Sequence, residues 1–282
     1  MEHILGRCRK GCVEMGETET YYDEKSESYD ETFSVLYFRV FDAITWKYLE
    51  PYLPTDTSAL VLDAGGGTGR WTVRIAKKAL KVVLMDISEG MLKAAAQRIK
   101  RERVKEHVVI KKGDITRTGY PDETFDLIFC EHVLFLFKKP DIVMRELSRI
   151  LKKKARLIIS AQNRYVQSLV SLSEKPKSDD VRAALDILQT KKYSAMDKKG
   201  NVKIYTWAPE EFREILERNG FHVERIVGKG YTMPLRVSKE LFMKKKYSQD
   251  LLDKIVEFEL ELSEKPDALA LAGHMQAIAH KE

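Results

Sequence analysis

Four carboxylates and one imidazole fall where chemistry is done in an α/β protein. Val61-Leu62-Asp63-Ala64-Gly65-Gly66-Gly67-Thr68-Gly69 reads as an apolar strand that closes on an acid and runs into a glycine loop opening a helix. Val82-Val83-Leu84-Met85-Asp86 is a second apolar strand with a carboxylate at its end. Glycines let the backbone approach a ligand with no Cβ in the way. A carboxylate closing the second strand of a doubly wound sheet is placed to accept hydrogen bonds from ribose hydroxyls. The spacing therefore describes a nucleoside site. Further on, Gly113-Asp114-Ile115 and Cys130-Glu131-His132 also follow apolar runs. A histidine there has a titration range suited to a general base, and Glu131 could hold a polar group of a cofactor or a substrate amine.

The ligand's chemistry can be narrowed. A dinucleotide loop reads G-x-G-x-x-G, its third glycine allowing tight helix packing beside a pyrophosphate. Here Gly65, Gly67 and Gly69 give G-x-G-x-G, and the bulky Arg70-Trp71 follow. Asp63 just before the loop would repel a diphosphate, but it suits a cofactor carrying an amine and a sulfonium.

The pattern resembles motif I of the class I S-adenosylmethionine-dependent methyltransferases, and the likeness continues downstream. Val83–Ser88 is similar to the second motif, which implies Asp86 on the ribose, Ile87 against the adenine and Met91 nearby. Lys112-Gly113-Asp114-Ile115 resembles the adenine-edge motif. Phe125–Leu134 matches the fourth strand and the loop after it, which brings Cys130, Glu131 and His132 to the cofactor. Arg149–Ser160 looks like the helix, basic turn and strand five of the family, with Lys153-Lys154-Ala155 in place of the usual proline-glycine turn. Trp207–Val227 and His274–Lys281 resemble its closing segments. The resemblance implies S-adenosyl-L-methionine as cofactor, S-adenosyl-L-homocysteine as product, and cofactor contacts from Asp63, Ala64, Gly65, Gly67, Gly69, Asp86, Ile87, Met91, Gly113, Asp114, Ile115, Cys130 and Glu131. It also implies a lid in which Tyr21 and Tyr29, from the pattern Tyr21-Tyr22-Asp23…Tyr29-Asp30, close over the methionine part. His132 and Glu131 are the catalytic candidates. Asn163, Arg164 and Tyr165, leaving strand five, and Tyr205 are candidate substrate contacts. No metal site is expected, since Cys8 and Cys12 alone are too few ligands.

These residues need a scaffold. Apolar runs alternate with helical patterns, which predicts a Rossmann-like, seven-stranded, mostly parallel sheet with helices on both faces. Strands are expected at Ala59–Asp63, Lys81–Asp86, Val108–Lys111, Phe125–Cys130, Ala155–Ala161, Phe221–Val227 and Met275–Ala279. Helices are expected at Arg70–Ala79, Ser88–Arg101, Asp141–Leu151 and Pro209–Asn219, with Ser88 and Asp141 as N-caps. Residues 1–57 read as an N-terminal arm and helical lid, 58–162 as the cofactor-binding core, 163–206 as a substrate cap with a helix near Asp180–Gln189, and 207–282 as the rest of the sheet with a helical insertion at about 229–272.

At 282 residues and 44% apolar content the chain can build such a core. No apolar run approaches a membrane span or a signal peptide. Three cysteines form no disulfide framework, so a reduced, cytoplasmic setting is expected. The net charge of +6 is a small excess on a mixed surface, without the aromatic-studded basic stripe that nucleic acid calls for. The expected partner is a small-molecule methyl acceptor, with the protein a monomer or homodimer. Two alternatives stay open: an RNA methyltransferase, or a non-catalytic partner subunit that keeps the cofactor. Against the first, Cys130-Glu131-His132-Val133 is not the Asn/Asp-Pro-Pro-Tyr/Phe loop used on base amines, and no Pro-Cys dipeptide occurs.

Overall fold

Strands that are apolar on both faces need cover on both sides, and a parallel sheet between helix layers supplies it. The computed structural model describes residues 18–26, 28–172, 177–196, 201–232 and 243–282. Helix α1 (residues 18–25), α2 (Tyr29–Thr32) and α3 (Leu36–Lys47) lead in. Then come β1 (Leu60–Ala64), α4 (Arg70–Ala76), β2 (Lys81–Asp86), α5 (Glu89–Arg101), β3 (Val108–Lys112), β4 (Phe125–Cys130), α6 (Pro140–Ile150) and β5 (Leu151–Gln162). After α7 (Arg164–Val170) and α8 (Ser178–Thr190), β6 (Lys192–Met196) and β7 (Asn201–Tyr205) form a separate hairpin. The chain closes with α9 (Pro209–Glu217), β8 (Phe221–Lys229), α10 (Gln249–Ser263) and β9 (His274–Lys281).

The large sheet has the order β3-β2-β1-β4-β5-β9-β8, and β9 alone runs against the rest. Side chains alternate between two cores. Leu127, Phe129 and Ile158 pack with α3, α4, α5 and α10, while Ile128, Leu157 and Ile159 pack with α6 and α9. Burying each such side chain contributes on the order of 1.5–3 kcal/mol. The strand order reverses between β1 and β4, so a crevice opens outside their carboxyl ends. Asp63, Asp86, Asp114 and Glu131 all lie on that edge.

Several elements differ from the sequence expectation. Strand β5 starts at Leu151, not Ala155, because its lysines 152–154 are carried on a register shift opposite Phe125 and Leu127, with Lys154 at φ 60°. Helix α4 ends at Ala76, and Ala79 turns the chain at φ 62°. Ser88 does cap α5, its hydroxyl accepting from the Met91 amide. Asp141 caps nothing: it sits in the first turn of α6, where its carboxylate accepts from Arg218 (2.6 Å) and Asn219 (2.9 Å). Strands β8 and β9 extend to Lys229 and back to His274. Helix α7 and the β6–β7 hairpin were not foreseen. Residues 173–176 of the expected cap, part of the last insertion (233–242), and Cys8 and Cys12 lie outside the described residues.

Candidate active site

The glycine loop is fixed by its own amides. Gly65 and Gly66 N–H donate to the Met85 carbonyl (2.8 and 3.1 Å), and Gly67 N–H donates to Asp86 Oδ2 (2.9 Å). Asp86 Oδ1 accepts from the Ser88 amide (2.9 Å). The Asp86 carboxylate therefore keeps acceptor capacity for a ligand, although burial pushes it up against the Ser88, Gly67 and Ile87 amide bonds. Gly67 has φ 52°, and a Cβ built there would meet no atom within 4 Å. Its open side faces a cleft of about 640 Å³, lined at this end by Gly65, Gly67 and Asp86 and further on by Ile87, Met91, Gly113, Asp114 and Ile115. Asp114 Oδ1 accepts from the Thr116 amide (2.8 Å). Val133, Leu136 and Phe137, in the turn after β4, form the apolar wall.

The N-terminal arm covers this cleft. Asp23 Oδ1 accepts from Ser88 Oγ (2.5 Å) and from the Gly90 amide (2.8 Å), which ties α1 to the start of α5. Against burial, these two donors hold Asp23 below the usual carboxylate range. Asp30 pairs with Arg98 and accepts from Thr68 Oγ1 (2.7 Å), which ties α2 to the same helix and to the glycine loop. The arm so latched puts Tyr22 and Tyr29 into the cleft. Tyr21 packs edge-on against Tyr22 (centroids 5.1 Å apart) and is not among the lining residues. Tyr21 and Tyr22 are adjacent on α1, about 100° apart around the helix, so their rings leave it on different sides.

A second space of about 440 Å³ continues beyond Gly65 and Gly67, bounded by Asp63, Arg70, Asp42, Phe33 and Phe41. Tyr29, Glu131 and His132 line both spaces. Burial raises Asp63 to about 7, opposed by the bond it accepts from Thr72 Oγ1 (2.5 Å). Arg70 pairs with Asp42, and its guanidinium lies 3.5 Å from the Phe33 ring centroid. An acid and a guanidinium at the end of one narrow space match the ammonium and carboxylate of an amino acid.

Where the two spaces meet lies a buried polar cluster that the sequence did not disclose. Lys229, fully buried, donates to Glu131 Oε1 (2.8 Å), Thr45 Oγ1 (2.9 Å) and Gln276 Oε1 (2.9 Å), and its ammonium lies 4.3 Å from the Phe41 ring centroid. His132 has φ 61°, a left-handed conformation costly for a non-glycine residue, and its amide donates to Ser160 Oγ (3.0 Å). Its ring stacks on His274, with centroids 4.9 Å apart and planes 11° apart. Nε2 of His132 is 3.3 Å from Glu131 Oε1 but makes no hydrogen bond. Burial, then the Lys229 and Arg70 charges, holds His132 well below the usual imidazole value. His274 is held down by burial, His132 and Lys229. The one sequence signal was Lys229 itself, a charge closing an apolar strand. Its cross-strand partner His274 follows only from the β8–β9 register.

The expected substrate residues lie elsewhere. Asn163 is buried as the N-cap of α7, accepting from the Tyr165 amide and donating to the carbonyls of Leu269 and Ala270 (both 3.1 Å). Arg164 pairs with Glu211, Tyr165 is exposed on the outer surface, and Tyr205 belongs to the apolar core. These residues shape the chain after β5, and none lines either space. Ala64, Gly69 and Cys130 sit just behind the lining: Gly69 packs against Leu84 and Ala95, and Ala64 and Cys130 are fully buried. Among the described residues no cluster of metal-ligating side chains forms.

Residues 62–159 match the family described as methyltransferase domain. A demethylmenaquinone methyltransferase from Lactiplantibacillus plantarum is 32% identical over 117 residues, covering 40% of this chain and 49% of that protein. A ubiquinone/menaquinone biosynthesis C-methyltransferase from Hydrogenovibrio crunogenus is 34% identical over 120 residues, covering 40% and 45%. The chain spans about half the length of the curated relatives it matches. Among solved structures, an S-adenosylmethionine-dependent methyltransferase from Mesorhizobium loti superposes with a TM-score of 0.58 at 17% identity, covering 86% of this chain and 100% of that one. One from Aquifex aeolicus gives 0.54 at 18% identity, covering 92% and 98%. Both share the fold. Residues 62–159 are thus similar to a methyltransferase domain, and the sheet around them has the fold of S-adenosylmethionine-dependent methyltransferases of known structure.

Proposed function

We propose that the protein moves the sulfonium methyl group of S-adenosylmethionine to a nucleophilic O, N, C or S atom of a small molecule by in-line displacement, leaving S-adenosylhomocysteine. The observation that carries this reading is the lidded crevice in which Asp63, Asp86 and Asp114 sit in series around an open Gly67. The residues fit the cofactor. Gly67 leaves room where a Cβ would intrude, and the Asp86 carboxylate keeps acceptor capacity. Asp86 would take the ribose hydroxyls, and Asp114 with Ile87 and Ile115 the adenine. Asp63 would take the ammonium and Arg70 the carboxylate.

The bound cofactor supplies an activated methyl carbon. The chain's own residues orient the acceptor and exclude water. Tyr22 and Tyr29 close the cleft under the latched arm, Glu131 and His132 stand where its two parts meet, and His132 receives a proton from any acceptor that must lose one. We place residues 163–206 as a cap over the acceptor side. Val202, Ile204 and Tyr205 of β7 pack with Leu134 and Phe135 of the post-β4 turn, and Tyr193 of β6 donates to Gln162 (2.7 Å). The relatives' names point to a ring-bearing metabolite as the kind of acceptor. A cytoplasmic setting fits the buried free thiol of Cys130, and no helix among the described residues is long and apolar enough to cross a membrane. The test is incubation with methyl-labelled S-adenosylmethionine and fractionated cell extract. Label in a small-molecule fraction supports the proposal, and label confined to macromolecules overturns it.

A further inference from the structure

Buried polar atoms are almost always hydrogen-bonded, and each exception asks for a reason. Five exceptions gather around Phe41 and Lys229: Glu131 Oε2, His132 Nε2, His274 Nδ1, Gln276 Nε2 and Tyr37 Oη have no partner among the described residues. They come from α3, the post-β4 loop and β9, and Glu131 and His132 also line the cleft. Such a convergence points to a ligand group seated among them. Its charge can be read from the pairs already made. The three Lys229 donors are all taken and its charge is matched by Glu131, so no cation remains here for a carboxylate or phosphate, and no unmatched anion for an ammonium.

We propose that His274 joins His132 in binding the ionisable hydroxyl of an uncharged acceptor, with Lys229 as the positioning residue that fixes Glu131. This rests on the methyl-transfer reading above and specifies its acceptor. The proton step balances within the chain: the acceptor's O–H bond breaks, an N–H bond forms at His132 Nε2, and the electron pair stays on the acceptor as the nucleophile. The charged and titratable groups around His132 are Glu131 on its own loop, Lys229 on β8, His274 on β9, and the Arg70–Asp42 pair joining α4 to α3. Burial and the two cations keep its ring neutral beforehand, and Glu131 Oε1 at 3.3 Å steadies the imidazolium once formed.

The test uses full-length protein with ¹⁵N-labelled histidine rings, saturated with S-adenosylhomocysteine, and 1-naphthol as the uncharged hydroxyl probe. Benzoate and benzylamine are its charged counterparts. The His132 and His274 ring signals, assigned with His132→Asn and His274→Asn, should move with 1-naphthol and not with the charged probes. In Lys229→Met the ring pKa of His132 should rise by about one unit or more. The double variant Lys229→Met/Glu131→Gln, which strands no buried charge, serves if the single one does not fold. Rings that ignore 1-naphthol, that follow a charged probe instead, or that titrate unchanged without Lys229 overturn the inference. Failure of S-adenosylhomocysteine to bind wild-type protein strikes the methyl-transfer reading instead.

Discussion

Replacing Asp63 with asparagine should move apo stability and ligand affinity in opposite directions. Asp63 is 2% exposed, and burial raises its carboxyl from 3.8 to about 7. At about 1.4 kcal/mol per pH unit, the ionised form costs the empty protein up to about 4 kcal/mol at pH 8. The sign follows from linkage: between roughly pH 4 and pH 7 the folded state holds a proton that the unfolded state has released, so stability falls as pH rises through that window. Asparagine is isosteric, carries no charge and can still accept from Thr72 Oγ1. Apo Asp63→Asn should therefore be the more stable protein at pH 8, by about 2 kcal/mol once relaxation is allowed for, which is roughly 4–8 °C in Tm for a chain of this size. Near pH 4 the difference should vanish. The same change removes the counter-charge for the ligand's ammonium, so S-adenosylhomocysteine should bind about 1.5–3 kcal/mol more weakly. In the wild type, that affinity should decline as pH falls below about 7. Thermal unfolding at several pH values, paired with calorimetry, reads both effects. A variant less stable than wild type at pH 8, or one with undiminished affinity, would refute this role for Asp63.

Three further substitutions probe the crevice. Asp86→Ala should weaken S-adenosylhomocysteine by roughly 1–3 kcal/mol in calorimetry, since the ribose hydroxyls lose a charged acceptor; wild-type affinity would remove Asp86 from the site. Gly67→Leu places a side chain where no atom lies within 4 Å, so Tm should drop by only a few degrees for the left-handed residue while ligand binding is lost. A Gly67→Leu protein that binds normally would mean that the ligand does not pass this loop. Asp23→Ala releases the arm from Ser88 and Gly90, and should speed S-adenosylhomocysteine release several-fold in stopped-flow, with faster hydrogen exchange over residues 18–25. Unchanged release would mean that the arm is not a lid.

The carboxylate-lined cleft was legible because each part is local. Asp63 with its loop, Asp86, Asp114 and Glu131 each end a strand of their own, and parallel pairing of β1 with β2 and β4 brings those ends together. The mostly parallel, seven-stranded sheet followed from the same alternation. The polar cluster was not legible. Lys229 lies 98 residues from Glu131 and 184 from Thr45, and His274 meets His132 only through the antiparallel register of β9 with β5 and β8. The substrate candidates line neither space, and the residue types explain why. Asparagine and arginine after a strand also serve as helix cap and buried ion pair, and that is how Asn163 and Arg164 are used. The β6–β7 hairpin escaped notice because Lys192 and Lys203 interrupt its apolar residues.

The most direct test of the methyl-donor site is a calorimetric comparison of S-adenosylmethionine and NAD on the wild-type protein at pH 7.5. The Asp63, Gly67 and Asp86 geometry predicts saturable binding of S-adenosylmethionine and at least tenfold weaker binding of NAD, whose diphosphate would face Asp63. Tighter binding of NAD would contradict it.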